Sequence, residues 1–127
     1  MSRKQSRELV FQRVYSLSYN DGRLPIAPTE GEITAQKELE FIESLFNAVE
    51  NNLVIIDEKI RTLTQATIAF EKIYPVDLAI LRMGVAEILY MDTPFPVVVN
   101  EAVDLAKRFS VAESVKFING ILGATTK

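Results

Sequence analysis

Val97-Val98-Val99-Asn100-Glu101-Ala102-Val103-Asp104-Leu105-Ala106-Lys107-Arg108-Phe109 is the stretch whose reading decides the fold class. Its opening valine triplet alone suggests a strand, because β-branched side chains suit a pleated surface. The rest overrules that reading. Val99, Val103, Ala106 and Phe109 recur at the spacing of one helix face, not at the alternation of a strand. Thr93-Pro94-Phe95-Pro96 just before it makes a rigid turn. The stretch therefore reads as a helix over residues 97–109.

Working outward, the same test returns helices throughout. Residues 76–90 carry Leu78, Leu81, Val85, Ile88 and Leu89 over more than half the helical circumference, and a helix so apolar is buried on several sides. Residues 112–122 form a last helix, with Gly123 as its C′ residue. Residues 65–74 read as a shorter helix through Ile68, Phe70 and Ile73, closed before Pro75 because a residue preceding proline avoids the helical region. Residues 53–63 supply another through Leu53, Ile56, Ile60 and Leu63. A helix from about Thr34 aligns Leu39, Ile42, Leu45, Phe46 and Val49 on one face, and Asn51-Asn52 ends it. Residues 3–18 are amphipathic, with Val10, Val14 and Leu17 in register, Phe11 and Tyr15 beside them, and Ser2 as N-cap. Between the first two helices, Asn20-Asp21-Gly22, Pro25, Pro28 and Gly31 make residues 20–33 a loop. Hairpin chemistry and internal repeats are both missing. The expectation is an all-α fold: one compact domain over residues 1–127, a bundle of about seven helices with short connections.

Composition narrows the function. The chain has 127 residues, 48% of them apolar, enough for a single core. Nothing approaches the roughly 18 uninterrupted apolar residues of a membrane span. The polar start at Arg3-Lys4-Gln5-Ser6-Arg7 does not read as a secretory signal. The absence of cysteine excludes disulfides and thiolate metal sites and fits a reducing cytoplasm. The absence of histidine removes the usual general base and the commonest metal ligand. No catalytic residue, metal site or cofactor is expected. The net charge of −3 is unevenly spread. Arg3, Lys4, Arg7 and Arg13 face only Glu8 within residues 1–19, leaving a basic arm on an acidic body. Such an arm can meet a polyanion while the body serves other partners.

Residues 94–109, read together with Ser114-Val115-Lys116-Phe117-Ile118-Asn119-Gly120-Ile121-Leu122, resemble the NusB family pattern. That pattern is a proline-led turn, a helix bearing Asn-Glu-Ala and Leu-Ala-Lys, and a final helix bearing Phe and Asn-Gly. Arg7-Glu8 with Gln12 and Tyr15 is similar to the family's first helix. Leu81-Arg82 with Glu87-Ile88-Leu89 is similar to its fifth. The resemblance spans nearly the whole chain and is thinnest over residues 18–40.

What the resemblance implies is a seven-helix, non-enzymatic transcription antitermination factor. NusB proteins pair with NusE, the small-subunit ribosomal protein S ten, and bind single-stranded boxA RNA. With other Nus factors they help RNA polymerase through ribosomal RNA operons, and some form homodimers. NusB-like domains also precede some ribosomal RNA methyltransferases as RNA-docking modules. This chain lacks a Gly-rich cofactor loop, so such an activity would need a separate polypeptide. A helical protein-interaction scaffold that ignores RNA is the remaining class.

Candidate RNA contacts begin with Arg3, Lys4 and Arg7. Helical spacing puts Arg3 and Arg7 on one side, within reach of one strand's phosphates. The family's first helix is arginine-rich, and Gln5 and Ser6 thin that cluster here. Gln12 and Tyr15 face the same region, Tyr15 being read as core with its hydroxyl at the rim. Lys116 and Phe117 match family positions near the start of the last helix. Phe117 reads equally as a stacking platform for a base or as core packing. Glu113 either tunes RNA binding or simply suits the helix dipole. Asn100 and Glu101 read as satisfying helix-start amides, and Arg82 with Glu87 as an internal polar tie. For NusE, the resemblance points to the fourth and fifth helices, where Glu71 and Asp77 are candidates.

Overall fold

The computed structural model describes residues 2–18 and 36–125. The helices are α1 (Arg3–Ser16), α2 (Gln36–Asn51), α3 (Leu53–Thr64), α4 (Pro75–Tyr90), α5 (Phe95–Phe109) and α6 (Ala112–Gly123). A single 3-10 turn, Phe70–Lys72, lies between α3 and α4. There is no strand among the described residues. The expected loop over residues 20–33 and the helix start near Thr34 lie outside them.

α4 is the axle of the bundle. Every residue from Asp77 to Ile88 is buried, and α4 touches each of the other five α-helices. Its all-round apolar surface allows this, and burying a side chain such as Ile80 or Leu81 contributes about 1.5–3 kcal/mol. Pro75 opens α4 at the position where a missing N–H costs nothing. A close approach lies at Gly84, where an added Cβ would lie 2.7 Å from Leu122 Cδ1 on α6.

The helix ends follow the sequence in some places and depart from it in others. Ser2 caps α1 as expected: its hydroxyl accepts from the Gln5 amide at 3.1 Å, and Gln5 Oε1 accepts from the Ser2 amide at 2.8 Å. Two orphan donors are satisfied reciprocally. Gln5 is thus a capping residue, not a gap in a basic row. α5 starts at Phe95 rather than at residue 97, since Pro96 is tolerated within a first turn. α6 includes Gly123, and Ala124 makes its cap in a right-handed conformation, so Gly123 closes the last turn instead of following it as a C′ residue.

The expected helix over residues 65–74 is corrected. The amides of Thr67 and Ile68 bond back to the Thr64 carbonyl, Ala69 and Ile73 are extended, and only Phe70–Lys72 coil. Ile73 is buried all the same. A segment this short cannot offset helix nucleation, and a turn can bury its apolar side chains equally well.

Gly84→Ala should lower the unfolding free energy by about 1–2 kcal/mol, because overpacking against Leu122 outweighs the better helix propensity of alanine. Urea unfolding measures it, and a stabilised variant would contradict the packing described.

Candidate nucleic-acid interface

The basic residues of α1 are mostly engaged by acids from other helices. Arg3 Nε and Nη2 donate to Glu38 of α2 at 2.8 and 3.1 Å. The same carboxylate accepts from the buried Ser6 hydroxyl at 2.9 Å. Lys4 Nζ reaches α5, 2.9 Å from Asp104 and 3.3 Å from Glu101. From α5, Arg108 returns to Glu8 of α1 and also lies 3.3 Å from Asp104. The Arg3 and Arg7 guanidiniums do share one side of α1, at 4.0 and 5.1 Å from the Phe41 ring centroid.

Arg7 nevertheless corrects the sequence reading. It is 5% exposed, and its guanidinium donates through Nε and Nη2 to both oxygens of Glu87 on α4. A phosphate cannot reach it without opening the core. Arg82 and Glu87 are both internal ties, but not to each other. Arg82 holds Asp57 of α3 through two bonds of 2.8 and 2.9 Å, while Glu87 holds Arg7.

Asp77 is corrected likewise. It is 4% exposed, and its two oxygens accept from the Ser110 and Ser114 hydroxyls at 2.6 Å each. It fastens the α5–α6 turn onto α4 rather than offering charge at the surface. Glu71 is exposed, with its carboxylate 2.8 Å from Arg61, whose guanidinium lies over Phe70. That guanidinium lowers the Glu71 pKa. Asn100 and Glu101 sit in the second turn of α5 and make no helix-start cap. Glu101 serves Lys4 instead.

The start of α6 presents Glu113 and Lys116 to solvent, with Phe117 half-buried against the core. Phe117 also lines a groove of about 390 Å³, together with Ile68, Tyr74 and Val111. That half-burial meets the core-packing reading of Phe117 in part. A second groove of about 430 Å³ at the α5–α6 turn runs between Lys107 and Lys116. Lys107, beside Arg108 in the sequence, is an exposed cation on this groove that the sequence reading did not single out. Gln12 is half-buried on α1, and Tyr15 packs on Phe11, which stacks in turn on the exposed Phe109.

Electrostatic causes are clear for two carboxyls. The Arg3 guanidinium holds the Glu38 pKa below its ordinary 4.5, against the opposing effect of burial. The Lys4 ammonium, aided by Arg108, does the same for Asp104. No group of three or more acids among the described residues is placed to hold a metal ion. No helix among the described residues is long and apolar enough to cross a membrane.

Fold and surface together define a class: a helical bundle wound on one buried helix, with cations gathered along α1 and the α5–α6 turn. The NusB family model matches residues 4–127. The transcription antitermination protein NusB of Staphylococcus aureus strain MRSA252 is 40% identical over 131 residues, spanning 100% of both chains. Among solved structures, T. maritima NusB superposes with a TM-score of 0.83 at 25% identity, covering 97% of this chain and 89% of that one. A chain from antitermination factors NusB and NusE in complex with dsRNA gives 0.81 at 25% identity, covering 97% and 94%. The chain belongs to the NusB family.

Two outcomes follow. Arg7→Ala should cost about 3–5 kcal/mol of stability, since it leaves Glu87 buried without its cation; urea unfolding checks this, and a loss under about 1 kcal/mol would return Arg7 to the surface. Because the Glu38 and Asp104 pKa values are lowered in the folded chain, their stabilisation is complete above the ordinary carboxylate range. It is lost as pH falls through the lower folded values. Unfolding free energy should therefore hold level near neutrality and fall in acid, and Glu38→Gln should flatten that acid limb.

Proposed function

We propose that this protein is a non-enzymatic transcription antitermination factor that binds boxA-type single-stranded RNA together with NusE, in the cytoplasm and as one NusB-like domain. The observation that carries the reading is the full-length 40% identity to a protein named for antitermination. The NusB of the NusE and dsRNA complex shares this fold end to end. For the RNA contacts we assign Arg3, Lys4 and Gln12 on α1, and Lys116 with Phe117 on α6. Glu113, on the first turn of α6, is assigned to tuning this face. Phe117, half-buried against the core, is assigned as the ring on which a base stacks. NusE is assigned to the side bearing Glu71.

Few cations are clustered and most are paired, so the RNA affinity of the protein alone is modest. The partner adds contact area and raises the effective concentration of the second surface. NusE in turn links the pair to the other Nus factors and the elongating polymerase. The chain needs no metal or cofactor for this role.

The test is a titration of boxA-like and scrambled RNA with the protein, with and without NusE. Binding to the boxA-like RNA should tighten about tenfold or more on adding NusE, and less for the scrambled RNA. Equal affinity in both conditions, or no binding in either, would overturn the reading.

A further inference from the structure

Three cations of the basic face lie under carboxylates of the same chain, and one acid serves two of them. Asp104 is 2.9 Å from Lys4 Nζ and 3.3 Å from Arg108 Nη1. Glu101 adds a second carboxylate on Lys4 at 3.3 Å. Among the described residues, Lys107 and Lys116 form no ion pair, although they flank the neighbouring groove. The face therefore has a masked half on α1 and the middle of α5, and an open half at the α5–α6 turn.

We propose that Asp104 and Glu101 form an intramolecular mask that holds Lys4 away from nucleic acid and sets the RNA affinity of this protein. The inference rests on the RNA-binding reading above and assigns the residues that regulate that surface. Its physical basis is counterion release. RNA binding gains free energy because cations leave the phosphates when Lys or Arg takes their place, and each neutralised phosphate adds about −0.7 to the salt slope for a single strand. A lysine already paired with a carboxylate must give up that carboxylate first. The displaced acid then stands beside the incoming phosphate as an uncompensated like charge, and much of the gain is cancelled.

The mask is built to open. Lys4 remains 52% exposed as a side chain, and Asp104 36%. Exposed pairs of this kind are weak and screened by salt, so the exchange needs no unfolding. The contrast with Arg7 is the key one: that pair is closed within the core and is structural, whereas the Lys4 pair lies at the rim and is exchangeable.

The test uses the full chain and a boxA-like single-stranded RNA, read by fluorescence anisotropy over a range of potassium chloride. Asp104→Asn and Glu101→Gln, alone and together, are compared with Glu43→Gln, an exposed acid of α2 outside this face. The double variant should bind about three- to tenfold tighter, with the salt slope steeper by about 0.7 for the freed Lys4, while Arg108 stays with Glu8. Glu43→Gln should stay within about twofold of the parent. Lys4→Ala should cost the unmasked double variant several-fold more affinity than it costs the parent, a non-additive cycle. Thermal unfolding of the single variants verifies that the fold is retained. Unchanged or weaker binding by the unmasked variants, an equal gain from Glu43→Gln, or additivity with Lys4→Ala would each overturn the mask and leave RNA binding standing. No binding by the parent or any variant would overturn both.

Discussion

Burying α4 on every side brings three charged side chains inside with it, Asp77, Arg82 and Glu87, and the rest of the structure is arranged to meet them. Glu87 and Arg82 lie on the most enclosed helix of the molecule, where an unpaired charge would cost several kcal/mol. Arg7 from α1 and Asp57 from α3 meet them, each through a two-point contact. Such fork geometry fixes direction as well as distance. A two-point ion pair tolerates little displacement, so these pairs reinforce the register that close packing sets for α1 and α3 on the axle.

The same pairing explains the character of α1. Its buried apolar residues are only Val10, Phe11 and Val14, confined to the second half of the helix. The first half is polar, yet Ser6 and Arg7 are among its buried residues. Hydrogen bonds from Ser6 and Arg3 to Glu38 and from Arg7 to Glu87 dock it where grease is lacking. The N-terminal half of α1 is thus an electrostatic seam, and its charges serve the fold before they serve any ligand. Spacing alone makes Arg3 and Arg7 look equivalent; burial divides them into a surface cation and a core cation.

What could be read in the sequence follows the same line. Residues 76–90 announced a buried helix because the apolar pattern itself is the cause of burial, and residues 97–109 announced a helix because their period is the cause of the face. Ser2 as a cap was legible from its local chemistry. Three things were not. Arg7 pairs with an acid eighty positions away, and no local pattern carries that information. Asp77 looked like an exposed acid because its partners, Ser110 and Ser114, are ordinary residues of a distant turn. Residues 65–74 have apolar side chains that suit a helix, but a 3-10 turn and two extended residues bury Ile73 as well. Periodicity reports which side chains seek the core; it does not say which backbone delivers them.

The same reasoning bears on the charge of the whole chain. A protein of net charge −3 gains little from long-range attraction to a polyanion, so any affinity must come from contacts at close range. On this surface Arg3, Lys4 and Arg108 are already matched by acids of the chain itself, at Glu38, Glu101, Asp104 and Glu8. Pairing of that kind suppresses non-specific binding, since a random strand offers nothing better than the carboxylate it would displace. A ligand held also by a base on Phe117 or by a second protein brings contacts that a bare phosphate chain lacks. Selectivity can then arise from weakness: the internal acids lower affinity for every strand, and only the strand with additional anchors recovers it.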